Sequence, residues 1–350
     1  MISRFIGIPF VSKGRTFRGC DCYGLVKLYY KEVLNIEIPE TVITAEQPRR
    51  TFANYLNEIS KNWTSTVPSK NAVVAMAVNA EHPTLVTHFA VMIDDKRFID
   101  TRENRSSYLT SIDDEKIKNI YYWVQDNIRY IAFEDGIAGF KPDDAQNVFQ
   151  KRYGDCKGMA NLTKQMLKLA GFDARLCWIG TNHIVYDYST PSLSVDNHMI
   201  CALLKDGKKY FLDGTEKYNS FGEYAQRIQG KEVLIEDGDK YILAKIPVQK
   251  AASNTEKSTI NYVIENETLK GKVKMEYLGE SRASFLYNYN SIKNDKKEDA
   301  LKWYLNSKDK NCTVSNIKTS DLLNRDQKLT LDYDVAIANH VSSFDNEIYV

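Results

Sequence analysis

The chain has 350 residues, with 47 Lys and Arg against 46 Asp and Glu and a formal charge of +1, so nothing in its charge balance recommends a nucleic-acid partner. A hydrophobic share of 43% is ample for ordinary packed cores, and the length favours two or three domains. No window approaches the roughly 18 apolar residues of a membrane span, and residues 1–9 lack both the apolar run and the small-residue cleavage site of a signal peptide. The expectation is a chain with no membrane span and no export signal of its own.

In chain order, residues 22–34 place Leu25, Val26, Leu28, Tyr29 and Val33 at a helical period, with Cys22 at the helix start and Asn35 as the stop. Residues 71–78 and 88–93 read as short strands separated by a loop at 79–83. Another strand at 97–100 follows the turn at 94–96. A second helix opens near Asp113 or Asp114, whose carboxylates suit a cap, and runs through Ile117, Ile120, Tyr121, Val124 and Ile128. A third opens at Asp155, carries Met159, Ala160, Thr163, Leu167 and Ala170 on the face of Cys156, and is expected to be capped by Gly171. Strands at 176–179, 199–204 and 210–212 follow, the last two joined through residues 205–208 as a hairpin. After Pro247 a polar stretch at 250–257 suits a linker. Beyond it, strand patterns at 258–264, 268–277 and 328–336 alternate with helical ones at 282–287 and 298–305, which predicts a separate sheet-rich domain. The last five residues read as a strand without a polar tail, so this domain is expected to be truncated.

Chemistry is concentrated in two repeats of one pattern: a cysteine that opens a helix, then a histidine that opens an apolar strand. A helix N-terminus offers about half a unit of positive charge and free N–H groups, which favour a thiolate and can hold an oxyanion. The first set is Cys22, His88 as base and Asp100 to orient the imidazole. Its plain alternative is a buried core thiol beside a structural histidine. The second is Cys156, His198 and Asp213, the last two on consecutive strands where cross-strand neighbours can hydrogen-bond. His183 competes with His198 as the base, while His82 and His340 read as surface or packing residues. Cys177 and Cys201 lie in apolar runs as small buried hydrophobes. Cys20 and Cys22 form C-x-C with no answering pair, so neither a metal nor a cofactor is predicted.

The first set resembles the NlpC/P60 cysteine peptidases, in particular those of phage tail assembly, through Gly7-Ile8-Pro9-Phe10, Gly14-Arg15, Cys20-Asp21-Cys22-Tyr23-Gly24-Leu25-Val26, Val73-Val74-Ala75-Met76 and residues 88–98. The resemblance covers residues 1–112. It implies Cys22 as nucleophile, His88 as base and Asp100 as third polar residue, where the family more often has His, Asn or Gln. Cys20 is then a bystander. Residues 68–71 also lack the family's Pro-Gly-Asp turn. The second set resembles the transglutaminase-like superfamily, most closely in large Bacteroidetes-type proteins, through residues 122–130, Gly154-Asp155-Cys156-Lys157, Asp196-Asn197-His198-Met199 and Phe211-Leu212-Asp213. That resemblance implies a Cys156, His198, Asp213 triad in a family with both acyl-transferring and peptide-hydrolysing members.

The expected fold class is therefore α+β: two papain-like cysteine-nucleophile modules in tandem, residues 1–112 and 113–248, followed by a smaller β-rich domain at 249–350. If residues past Ile120 replace a closing strand of the first module, its last sheet edge is unpaired. The expected function is acyl transfer on a peptide or protein substrate, by hydrolysis or transamidation. The resemblances imply peptidoglycan stem peptides for the first module and a virion tail or bacterial cell envelope as the setting. The alternative is a structural or binding protein that keeps silent papain-like folds.

Overall fold

Contacts divide the chain into two units, Met1–Ile117 and Lys118–Val350. The computed structural model describes residues 2–40, 48–77, 84–103, 105–132, 135–190, 192, 194–345 and 347–349. The predicted loop at 79–83 and His82 lie outside these residues. The architecture is α+β, with several sheets and helices distributed over both units.

In the first unit, a small hairpin of β1 (Arg15–Thr16) and β2 (Gly19–Cys20) leads into α1 (Cys22–Tyr29). A π-helical turn, Tyr30–Leu34, extends α1 to Asn35, which is left-handed at φ 56° and ends it as predicted. After α2 (Pro48–Asn62), the strands β3 (Val73–Met76), β4 (His88–Met92), β5 (Arg97–Arg102) and β6 (Arg105–Ser111) form an antiparallel sheet in sequence order. Helix α1 packs on β4 and β5 through Leu25, Leu28 and Tyr29 against Val91 and Ile99. Sequence patterning does not expose α2 or β6. Strand β6 pairs with β5 and is the last strand on that side of the sheet.

Helix α3 (Ile112–Asn127) follows, and the division between units falls within it. The Ser111 hydroxyl accepts from the Asp114 backbone N–H at 3.4 Å, so Ser111 serves its start, whereas Asp113 and Asp114 themselves lie inside the first turn. In the second unit, β7 (Arg129–Tyr130) runs parallel to β8 (Tyr153–Gly154), with α4 (Ala145–Lys151) between them. Next come α5 (Cys156–Leu169), β9 (Asp173–Ile179), β10 (His198–Lys205), β11 (Lys208–Leu212), β12 (Glu232–Asp237) and β13 (Lys240–Lys245). The strands make one antiparallel sheet in the order β11-β10-β9-β12-β13. Helix α5 covers one face, where Cys156 and Ala160 meet Leu176 and Met199. On the other, Cys177, Ile200 and Phe211 pack with Tyr224 and Ile228 from the loop after β11. The β10–β11 hairpin turns at Asp206 and Gly207, both at positive φ, as Asp-Gly chemistry predicts.

The remaining elements are β14 (Glu256–Glu265), β15 (Thr268–Tyr277), α6 (Gly279–Asn290), α7 (Lys297–Leu305), β16 (Cys312–Thr319) and β17 (Leu329–Ile337). A four-stranded sheet in the order β14-β15-β17-β16 packs Val273, Leu331 and Tyr333 under Phe285, Leu286 and Leu301 of the two helices. The short strands β18 (Ser342–Phe344) and β19 (Glu347–Tyr349) pair with each other. All six cysteines are free thiols.

Candidate active sites

Both cysteine helices begin with the same device. Asp21 and Asp155 are N-caps with extended backbone, and their carboxylates accept from the N–H three residues on, Gly24 at 2.6 Å and Gly158 at 2.8 Å. Each cysteine is therefore the first residue of its helix, at the positive end of the helix dipole. The Asp21 charge is balanced by Arg15 at 2.7 Å, that of Asp155 by Lys157.

In the first unit, Cys22 is buried with Tyr23, Val26 and Phe89. His88 stands at the start of β4, and its Nε2 lies 3.0 Å from Oδ2 of Asp100, a fully buried residue of β5. Asp100 is also gripped by Arg102 Nε at 2.7 Å and Arg105 at 2.8 Å, with the Thr110 hydroxyl at 3.4 Å. Burial opposes the Asp100 charge, yet His88 and the two guanidinium groups outweigh it and hold the carboxyl well below its usual range. For His88 the balance goes the other way. Burial lowers its pKa below 6.5, and the charges of Arg102 and Arg105 oppose the help Asp100 gives. The Cys22 thiol is pushed up to about 12, first by burial and then by the Asp21 charge, against hydrogen bonds from the backbone at Phe89 and Tyr23. Neighbouring Cys20 is fully buried on β2, and its thiol is likewise pushed up to about 12 by burial.

The second unit reverses this balance. His198 opens β10, and Asp213 follows β11 directly, so the hairpin register brings Nε2 to 2.8 Å from Asp213 Oδ2. Burial would lower the His198 pKa, but the Asp213 charge and hydrogen bond, joined by a hydrogen bond with the Cys156 side chain, raise it to about 9. Asp213 is lowered correspondingly, its burial being outweighed by His198, Arg227 and Thr215. With Nε2 committed to Asp213, the other ring nitrogen is the one left for the sulfur. Thr215 secures Asp213 Oδ1 with both its N–H, at 3.1 Å, and its hydroxyl, at 2.7 Å, while Tyr121 donates to the Asp213 carbonyl at 3.1 Å.

Arg227 also enters this site. It donates to Asp213 at 2.9 Å, Thr215 at 3.0 Å and Glu216 at 2.6 Å, and stands 3.2 Å from His198 Nε2. A cavity of about 710 Å³ opens beside His198, lined by Arg129, Asn197, Lys217, Arg227, Tyr287 and Asn290 among others. His183, the competing base, lies exposed on this cavity's wall, while His340 is half-exposed beside Asp309 at 3.4 Å. Sequence reading missed Arg102, Arg105 and Arg227. Arg102 carried a usable signal, since residues two apart on a strand share a face with Asp100. The contact of Arg227 with a site fourteen residues upstream carries none.

Among the described residues, no group of three or more His, Cys, Asp and Glu is arranged to hold a metal ion. No helix among them is long and apolar enough to cross a membrane.

Residues 101–200 match the transglutaminase-like superfamily, a segment that contains Cys156 and His198 and stops short of Asp213. The chain therefore contains a transglutaminase-like superfamily segment. No curated protein matches the chain. Among solved structures, the NlpC/p60 domain of the peptidoglycan hydrolase SagA is similar at 18% identity over 31% of this chain and 82% of that one, with a TM-score of 0.23. A protein of Parabacteroides distasonis provisionally named a protease is similar at 12% identity over 66% of this chain, with a TM-score of 0.32. The chain spans 47% of that protein's length.

Proposed function

We propose that the second unit is a thiol-dependent acyl-transfer enzyme that cleaves or exchanges amide bonds through Cys156, His198 and Asp213. The observation that carries this reading is the buried His198 imidazole held by Asp213 at 2.8 Å, with the Cys156 side chain among the groups that raise its pKa. In the first step the Cys156 thiol gives its proton to His198, the sulfur forms a bond to the amide carbon, the carbon–nitrogen bond breaks, and His198 delivers that proton to the departing amine. A helix N-terminus beside the sulfur supplies N–H groups for the carbonyl oxygen. In the second step water or another amine attacks the thioester, its proton passes to His198, and the sulfur leaves with that proton restored. Asp213 holds the imidazole orientation and steadies its positive form, with Thr215 and Arg227 fixing the carboxylate in turn.

The division proposed for the chain is an NlpC/P60-like module at 1–112, a transglutaminase-like domain at 113–248 of the Bacteroidetes-type arrangement, and a β-rich domain at 249–350. For the first module two readings stand. Cys22, His88 and Asp100 carry the parts of a cell-wall peptide hydrolase. The lowered pKa of His88 and the thiol raised to about 12 favour a catalytically silent module that serves structure or binding.

Labelling with iodoacetamide near pH 6 tests the thiols, because a cysteine of pKa about 8.5 is then largely protonated and slow. Cys156 is expected to react faster than Cys312, and Cys22 more slowly than Cys312, as read by mass spectrometry. A Cys156 no faster than Cys312 removes the basis of the proposal. Assays of Cys22→Ala and Cys156→Ala variants on peptidoglycan fragments and a glutamine-donor peptide then assign the chemistry. Activity lost only with Cys22→Ala places it in the first unit instead.

A further inference from the structure

The cavity beside His198 has an uneven charge. Its one carboxylate, Glu216, is bound to Arg227 Nε at 2.6 Å, and Arg227 is itself committed to Asp213 and Thr215. Arg129 and Lys217 also line the cavity, are exposed, and pair with no carboxylate among the described residues.

Both basic residues stand on anchored backbone. Arg129 belongs to β7, where its N–H donates to the Arg152 carbonyl at 2.9 Å. Lys217 lies in the loop after Asp213, held by the buried Gln125 amide, which donates to the Glu216 carbonyl at 2.6 Å and the Asn219 carbonyl at 3.2 Å. Tyr218, next in that loop, takes a positive φ of 68°, a conformation bulky residues adopt only when the surroundings impose it. The cations thus line one cavity from anchored backbone, which suits recognition of an anion.

His198 places this cavity beside the reacting imidazole. Cys156 is not among the cavity's lining residues, whereas His198 is.

We propose that this cavity binds a substrate carboxylate held by Arg129 and Lys217, so that the amino acid or peptide bearing it lies beside His198. This rests on the reading that Cys156 and His198 act together.

The test uses the full chain as Cys156→Ala and two probes that differ in one group, alanyl-alanine and alanyl-alaninamide, with binding followed by saturation-transfer NMR. The acid binds at least tenfold more tightly than the amide. That preference disappears in the Arg129→Gln, Lys217→Gln double variant, survives in part in Arg129→Lys, and weakens with added salt. Equal affinities, no binding of either probe, or a preference that survives the double substitution overturns the inference. Iodoacetamide labelling of the unsubstituted chain separates the two ideas. A fast Cys156 with no carboxylate preference removes only the cavity assignment, whereas a slow Cys156 with the preference intact removes the thiol mechanism and leaves a carboxylate site.

Discussion

Asp100 and Asp213 receive similar partners and produce opposite effects on the histidine each one touches. Burial lowers the His88 pKa, and Arg102 and Arg105, which both meet Asp100, offset part of the help its charge gives. Asp213 faces one guanidinium, which it shares with Glu216, and its charge still raises His198 to about 9. Removing each charge separately tests this account. Asp213→Asn leaves burial and Arg227 acting in the same direction, so the His198 pKa is expected to drop below 6.5. Arg227→Gln removes a positive charge and is expected to raise it further. Carbon-13 NMR titration of the imidazoles reads both shifts, and movement of both variants in one direction would contradict the assignment.

The two Asp-Cys-x-Gly starts differ in how closely the chain passes over them. A Cβ on Gly24 would come 2.1 Å from the Gly14 carbonyl oxygen, a backbone atom with little freedom to retreat. The tightest contact of a Cβ on Gly158 would be a side-chain atom, the Val148 methyl at 3.0 Å. Gly24→Ala is therefore expected to lower stability by about 1–3 kcal/mol. In Gly158→Ala the gain in helix propensity, up to about 1 kcal/mol, offsets the small adjustment of Val148. Urea unfolding midpoints of the two variants should separate clearly, and equal losses would refute the difference in packing.

Much of this local order is legible in the sequence because its signals are short-range. The start of α5 at Asp155, the apolar period behind Cys22 and Cys156, and the Asp206-Gly207 turn each lie within a few residues of their structural effect. Helix α2 opens at Pro48, yet its apolar residues are too sparse to announce a period. Strand β6 alternates polar and apolar residues only weakly, and its buried Ser107 is explained by distant backbone, donating to the Phe5 carbonyl at 2.6 Å and accepting from the Ile8 N–H at 2.8 Å. The His198 to Asp213 contact was visible because a hairpin turns separation in sequence into register. Arg227 was not visible because a loop carries it back to the site.

Across the whole molecule, the two histidines give the two units opposite responses to pH. A neutral buried His88, with a folded pKa below its unfolded value near 6.5, must be protonated on unfolding in acid. Its unit therefore loses stability as pH falls through 6.5. His198 has a folded pKa raised to about 9, so its contribution is fully present below 6.5 and is lost as pH rises through 9. At about 1.4 kcal/mol per unit, that contribution is on the order of 3 kcal/mol, counted once for the His198–Asp213 pair. Scanning calorimetry of the full chain between pH 5 and 9 should therefore show one transition that weakens toward acid and one that weakens toward alkali. In His88→Gln the acid slope flattens while the alkaline slope stays, and in His198→Gln the reverse holds. If both slopes survive both substitutions, the titrating groups lie elsewhere and the opposed roles of the two imidazoles fail with them.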